Sequence, residues 1–197
     1  MHSVTYHVDG GMQASRPMLL ARVPLIPIIL LMQLAFGLWQ LVLWLWHLLL
    51  LLLRRERDTH AWESARRAVE FCSSQSAFLL LLSDRWPAGA VRVRLDYSPL
   101  VSRLELLIRP FFSILLFINA AVFAILFSPF WVLQFLNILV FARRHPGLQR
   151  LLLGYLGFLT DARAYALMGV EERPPLFPSN LGWLLAGLRP PLQRQRH

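Results

Sequence analysis

Two long stretches without a formal charge dominate this chain. Between Arg22 and Arg54 lie 31 uncharged residues, and between Arg109 and Arg143 lie 33 more. A run of about 18 apolar residues already indicates a membrane helix. Hydrophobic residues make up 56% of the chain and charged residues 16%, whereas soluble domains have about 45–50% and about 25%. These features argue against a soluble globule and against a disordered chain, and they predict a protein that lies in a lipid bilayer.

Each apolar run is too long for a simple crossing. A straight helix of 31 residues is about 46 Å long, whereas the hydrocarbon core is about 30 Å thick. Each run also has a turn signal near its middle, Gly37 in the first and Ser128-Pro129 in the second. Single crossings would put ten of the 20 arginines on each side of the membrane, whereas re-entrant hairpins put all of them on the cytoplasmic side. We therefore favour hairpins, with a single tilted span for each run as the alternative.

The charge of the chain indicates its partners. All 20 basic residues are arginine, and with 11 acidic residues the net charge is +9. Because the arginines sit beside apolar runs, they point to anionic lipid headgroups rather than to nucleic acid. A membrane protein complex is a further candidate partner. The exclusive use of arginine is typical of GC-rich coding, and we expect a location in a bacterial inner membrane, either multi-pass or re-entrant.

The chain resembles itself when it is shifted by 87 residues. A local shift of two residues aligns Arg54-Arg55 with Arg143-Arg144, after which the first register returns. The pattern predicts a tandem duplication with a divergent first unit at 1–89, a second unit at 90–178 and a basic, proline-containing tail at 179–197. The matched pairs include Asp9 with Asp96, Arg22 with Arg109, Trp44 with Trp131 and Ala77 with Ala164.

Each unit has the same predicted order of elements. An alternating strand comes first, Val4–Asp9 or Val91–Tyr97, and the apolar run follows it. An amphipathic helix then covers about Thr59–Leu82 or Gly147–Met168, and it either lies in the membrane interface or packs on the apolar runs. We therefore predict a mainly α membrane protein built from two copies of strand, long apolar helical run or hairpin, and amphipathic helix. The two strands form a small sheet if both lie on one side of the membrane.

The second unit has a specific order of motifs, with VRVRLDYSP first, a charge-free run ending in FARRHPGL next, and EERPPLF last. Over about residues 90–178, this order resembles a bacterial integral-membrane domain of unknown function, family number four-three-eight-nine. The first unit departs from the pattern because Arg55-Glu56-Arg57 is not followed by proline, and it resembles a drifted copy. The resemblance implies an integral membrane protein and implies no activity, cofactor or catalytic residue.

The sequence contains no phosphate-binding loop, nucleophile elbow or zinc-protease motif. We therefore predict a non-enzymatic protein without a cofactor or a metal. Polar residues inside the apolar runs are expensive at membrane depth and are often functional. They either line a path for a proton or small solute, or make hydrogen bonds between helices. This candidate polar stripe consists of Gln33, Gln40, His47, Asn119, Gln134 and Asn137.

Charged residues at the ends of the runs form a second candidate set. They either dock lipid headgroups or a partner subunit, or act as solvated helix stops. The set consists of Arg54, Arg55, Arg143, Arg144, His145, Glu172 and Arg173. We expect a membrane scaffold or accessory subunit with a basic cytoplasmic face. The alternative is a small transporter or lipid-handling protein that uses the polar stripe.

Overall fold

The computed structural model is mainly helical and has one small sheet. It describes residues 4–9, 11–54, 59–85, 89–97, 103–167, 170 and 172–178. This confirms the mainly helical fold and the small two-stranded sheet expected from the sequence, and both apolar runs are helical. In chain order, the elements are β1 (Val4–Val8), α1 (Arg16–Arg54), α2 (Thr59–Leu79), β2 (Val91–Leu95), α3 (Arg103–Phe141) and α4 (Pro146–Ala166).

Each apolar run forms one continuous helix of 39 residues, so the hairpin interpretation is wrong. Pro129 has no N–H to donate to the carbonyl oxygen of Ile125, but the hydroxyl of Ser128 donates to that oxygen at 2.7 Å. Gly37 lies inside α1, where a glycine costs only about 1 kcal/mol relative to alanine. Both helices contain segments long and apolar enough to cross a membrane, Arg16–Trp39 and Ile108–Phe141.

The chain doubles back after each long helix, so that α2 packs on α1 and α4 packs on α3. At the second turn, Ala142 adopts a φ of 53°, and the side-chain amide of Asn137 donates to the carbonyl oxygen of Arg143 at 2.8 Å. Along the α3–α4 contact, the Tyr155 hydroxyl donates to the carbonyl oxygen of Ala120 at 2.8 Å. The return helices therefore cover one side of α1 and α3.

The sheet packs on α2 and α4. Its strands are antiparallel and pair Val4 with Leu95 and Val8 with Val91. The inner side chains of β2 are buried in the core, whereas Arg92 and Arg94 alternate with them and point outward. Helix α4 contacts α3 on one face, through Tyr155 and Phe158. It contacts Tyr6 of the sheet on the nearly opposite face, at Leu153 and Gly157. The fold is thus layered: sheet, then α2 and α4, then α1 and α3.

Each element of the first half recurs 87 residues later with the same length. The two long helices each have 39 residues, and the two shorter helices each have 21. The elements before and after Arg54-Arg55 keep the separation of 87 residues, as expected where the first register returns. Residues 55–58, next to the expected two-residue shift, lie outside the described residues. The central pair of the sheet, Tyr6 and Val93, is also separated by 87 residues.

Candidate membrane interface

The sides of α1 and α3 that face away from α2 and α4 are apolar and exposed. On α3, the buried positions Leu116, Ala120, Phe123 and Phe127 recur every three or four residues and face the core. Across the helix from them, large apolar side chains are exposed along the whole length, among them Phe111 at 76%, Ile125 at 73% and Phe141 at 66%. Contiguous apolar patches above a few hundred Å² mark interaction surfaces.

Helix α1 repeats this division. Leu19, Arg22 and Ile29 are buried on its inner side, where Arg22 lies over the ring of Phe78 at 4.5 Å. The outer side carries exposed apolar residues from Leu20 to Leu49, including two tryptophans, Trp39 and Trp46. The exposed outer sides of α1 and α3, from Leu20 to Leu49 and from Phe111 to Phe141, are called the apolar face below.

A buried ionic cluster joins the start of α1 to the ends of α2 and α3. Asp84 Oδ1 accepts from the guanidinium of Arg144 at 2.7 Å and from that of Arg22 at 2.9 Å. Arg144 also donates to the carbonyl oxygens of Leu81 and Gln13, both at 2.7 Å, and of Gly11 at 2.5 Å. The side chain of Arg144 is 2% exposed. Arg144 was expected on a docking surface and instead lies inside the protein, because the chain reversal after α3 places it among carbonyl groups that need donors.

A second cluster forms at the start of α3. Glu105 pairs with Arg173 at 2.8 Å and accepts a hydrogen bond from the Tyr165 hydroxyl. The hydrogen bond from Arg173 is the main cause that lowers the pKa of Glu105 below its ordinary value. Burial and the bond to Glu105 raise the pKa of Tyr165 to about 12. Arg109 is buried behind this pair and donates to the carbonyl oxygen of Tyr165 at 2.9 Å.

This cluster ties α3 and α4 to the segment that follows α4. Residues 103–178 match the family model DUF4389, a domain of unknown function. The DUF4389 segment therefore contains α3, α4 and both partners of the Glu105–Arg173 ion pair. The match is a single copy in the second half of the chain. No curated protein and no solved structure matches the chain.

The polar stripe falls partly within the DUF4389 segment. Gln134 is fully buried, and its Oε1 accepts from the backbone N–H of His145, at the start of α4, at 3.2 Å. Asn119 donates to the carbonyl oxygen of Leu176 at 3.4 Å, and Asn137 donates to that of Arg143. Gln33 in the first half is partly buried. The side chains of Gln40 and His47 lie outside the described residues.

The predicted docking residues are split between surface and interior. Arg143, His145, Glu172 and Arg173 are exposed, whereas Arg144 is buried. The side chain of Arg54, residue Arg55 and the tail at 179–197 lie outside the described residues. Sequence reasoning did not single out Asp84 as the partner of two arginines, and its position 60 residues from Arg144 gave no local signal.

A cavity of about 920 Å³ lies between α1 and α2. Its α1 wall is mainly apolar, with Met32, Ala35 and Trp39, whereas its α2 wall carries polar and charged groups. Those on α2 include His60, Glu63, Ser64, Arg67 and Glu70. Within the described residues, no group of three metal-ligating side chains occurs here or elsewhere.

Proposed function

We propose that this protein is a non-enzymatic scaffold or accessory subunit of the bacterial inner membrane. The observation that carries the proposal is the apolar face of α1 and α3, which lies on the opposite side of the fold from a charged sheet. The apolar face has the extent and chemistry of a surface covered by lipid acyl chains. The outward side chains of the sheet, Arg92 and Arg94, give the other side a basic surface for an acidic partner.

The membrane location is tested with the full chain expressed in a bacterium. We expect it in the envelope pellet, where it should resist extraction by alkaline carbonate and be released by detergent. A chain that is monodisperse in buffer without detergent would contradict the proposal.

The scaffold role is tested by co-purification in mild detergent. We expect a partner that the wild type retains and that R92E/R94E loses, while the variant stays in the membrane fraction. The variant R92K/R94K preserves the charge and should retain the partner. If all three proteins co-purify with the same material, the basic sheet surface is not the docking site.

We also propose that the fold arose by tandem duplication and has two pseudo-symmetric halves. The equal element lengths and the constant separation of 87 residues support this. Equivalent contacts support it too. Arg22 lies 4.5 Å from the Phe78 ring, and Arg109 lies 4.6 Å from the Tyr165 ring. Arg109 and Tyr165 each follow their counterpart in the first contact, Arg22 and Phe78, by 87 residues. At the contact of α2 with α4, Ser73 Oγ lies 3.0 Å from Thr160 Oγ1, and these residues are also 87 apart.

A second candidate function is lipid handling, which the cavity between α1 and α2 favours. Its apolar and polar walls match the tail and headgroup of an amphiphile. A bulky side chain in the apolar wall, as in Ala35→Trp, should reduce the phospholipid that the purified protein retains in native mass spectrometry. Ile125→Trp places the same side chain on the exposed side of α3 and should leave retention unchanged. Equal retention by both variants would contradict lipid binding in the cavity.

A further inference from the structure

We infer that neither α1 nor α3 crosses the bilayer and that both lie flat within one leaflet, so that the whole protein is inserted from one side. This inference rests on the proposed membrane location and concerns the orientation of the fold in the membrane. It is argued from the position of the sheet, from its connections to the long helices, and from the distribution of charge.

The sheet lies beside the middle of α3. Tyr6 of β1 packs on α4 at Gly157, where an added Cβ would lie 2.9 Å from the Tyr6 ring carbon Cζ. The next residue of α4, Phe158, packs on Phe123 with 5.8 Å between the ring centroids. Phe123 lies close to the centre of the uncharged run of α3. If α3 stood upright with its run centred in the bilayer, the sheet would be near the bilayer midplane.

The connections of the sheet lead toward both ends of α3. After β1, residues 11–15 bond to the end of α3, since the Ala14 N–H donates to the carbonyl oxygen of Ala142 at 3.0 Å. Arg16, the first residue of α1, donates to the carbonyl oxygen of Val140 at 2.6 Å. At its other end, β2 leads within eight residues to the start of α3 at Arg103. The sheet therefore lies alongside α3, and residues 11–15 lead from it to the end of that helix.

An upright α3 would place ionised side chains at membrane depth. Arg92 and Arg94 are exposed on the outer side of the sheet, beside the middle of α3. The exposed ion pair of Arg67 with Glu63 on α2, at 72% and 46%, lines the cavity opposite Met32, Ala35 and Trp39 of α1, so it would lie at membrane depth if α1 stood upright. Charged side chains near the bilayer centre are strongly disfavoured unless they face protein or a water-filled cavity. In the flat orientation Arg92 and Arg94 on the sheet lie two layers away from the acyl chains, and Glu63 and Arg67 on α2 lie in the middle layer.

The flat orientation also fits the dimensions of a leaflet. A helix with its side chains is about 10–12 Å thick, and half of the hydrocarbon core is about 15 Å. A helix of 39 residues is about 58 Å long, much longer than the whole core of about 30 Å. Flat helices also keep all 20 arginines on one side, whereas two crossings would divide them evenly.

The test measures the depth of three points along the apolar face of α3. Ile114, Ile125 and Leu136 are all exposed and lie on one side of the helix. Neighbouring points are 11 residues apart, which is about 16 Å along the axis. Each is replaced by cysteine in a full-length Cys72→Ser background, labelled with an environment-sensitive fluorophore, and reconstituted in vesicles of phosphatidylcholine and phosphatidylglycerol. Quenching by lipids that carry a nitroxide at different acyl positions gives the depth of each label.

We expect the three labels to have the same depth within one leaflet. A deep label at Ile125 between shallow labels at Ile114 and Leu136 would mean that α3 crosses the bilayer. That result overturns the inference but leaves the membrane location intact. If none of the labels is quenched, both the flat orientation and the membrane location are overturned.

Labelling of R94C, and of the control R143C, with a membrane-impermeant maleimide gives a second readout. We expect both positions to react from the same side of the membrane, and reaction from opposite sides would overturn the inference.

Discussion

At the scale of single residues, the fold depends on arginines that sequence reasoning assigns to the surface. Arg144 was singled out because it lies at the end of an apolar run, but a local pattern cannot show whether such a residue is exposed to water or buried in the turn that follows the helix. Its partners, the carbonyl groups of Gly11, Gln13 and Leu81 and the carboxylate of Asp84, come from segments at least 60 residues away. Removing one partner of a buried ion pair strongly lowers the stability of the fold, because the remaining charge is left without compensation.

Arg144→Ala should therefore reduce the free energy of unfolding by about 3–5 kcal/mol, because it leaves buried carbonyl groups without donors and removes one cation from Asp84. Arg143→Ala is the matched control, since its side chain is exposed and the expected loss is within about 0.5 kcal/mol. Thermal unfolding in detergent measures both. Equal losses for the two variants would contradict the buried role of Arg144.

The Glu105 cluster predicts a dependence of stability on pH. The pKa of Glu105 in the fold is lower than its ordinary value of 4.5, chiefly because Arg173 donates a hydrogen bond to it. The ionised carboxylate therefore stabilises the fold above the ordinary pKa, and this contribution is lost as the pH falls through the lowered pKa. Glu105→Gln should be less stable than the wild type at neutral pH, and the difference should shrink on acidification below about pH 4.5.

Unfolding curves recorded between about pH 3 and pH 7 measure this difference. Arg173→Gln removes the main cause of the shift, and it should weaken the same acid-dependent loss while leaving the carboxylate in place. A pH profile of Arg173→Gln identical to that of the wild type would show that Arg173 does not set the pKa of Glu105.

At the scale of elements, the sequence predicts where the strands and helices lie, but it does not predict that each apolar run forms one continuous helix. The strands and short helices begin within one residue of the predicted positions, because alternation and amphipathic spacing are local signals. The interior of the apolar runs is different, since Gly37 and Ser128-Pro129 are turn signals whose effect depends on context. The hydroxyl of Ser128 supplies the donor that Pro129 lacks at Ile125, and only the structure shows this compensation.

A pair of glycine substitutions tests the two helices at single positions. Gly37→Ala should raise the free energy of unfolding by about 0.5–1 kcal/mol, because no atom lies within 4 Å of the added Cβ and alanine favours a continuous helix. Gly157→Ala makes the same chemical change in α4 and should lower stability, because the Cβ would collide with Tyr6 of the sheet. Thermal unfolding of both variants in the same detergent checks the opposite signs. Destabilisation by Gly37→Ala would indicate a turn at that position.

At the scale of the whole molecule, the order of the layers could not be predicted from the sequence. The alternation of β2 shows that one side is charged and the other apolar, but it does not show that α2 and α4 lie between the sheet and the long helices. The sequence left open whether the amphipathic helices lie in the interface or cover the apolar runs, and the contacts of Tyr155 and Phe158 with α3 support the second alternative for α4. This order follows from long-range packing, as does the flat orientation inferred from it.

The contact between the two halves provides the last prediction. Ser73 Oγ on α2 and Thr160 Oγ1 on α4 lie 3.0 Å apart, so cysteines at both positions should form a disulfide within one chain under mild oxidation. Cys72 is replaced by serine to remove the neighbouring thiol. The control S74C/T160C should form the disulfide much more slowly, because Ser74 is directed to the backbone of Val91 on the sheet.

Migration on a non-reducing gel distinguishes the outcomes. A faster-migrating monomer is expected for S73C/T160C, since a loop of 87 residues would be closed within the chain. A cross-linked dimer would instead mean that α2 of one chain packs on α4 of another. Such a dimer would keep the local contact but replace the internal pairing of the two halves by pairing between chains. The same gel therefore separates a fold that is completed within one chain from one that needs a second copy.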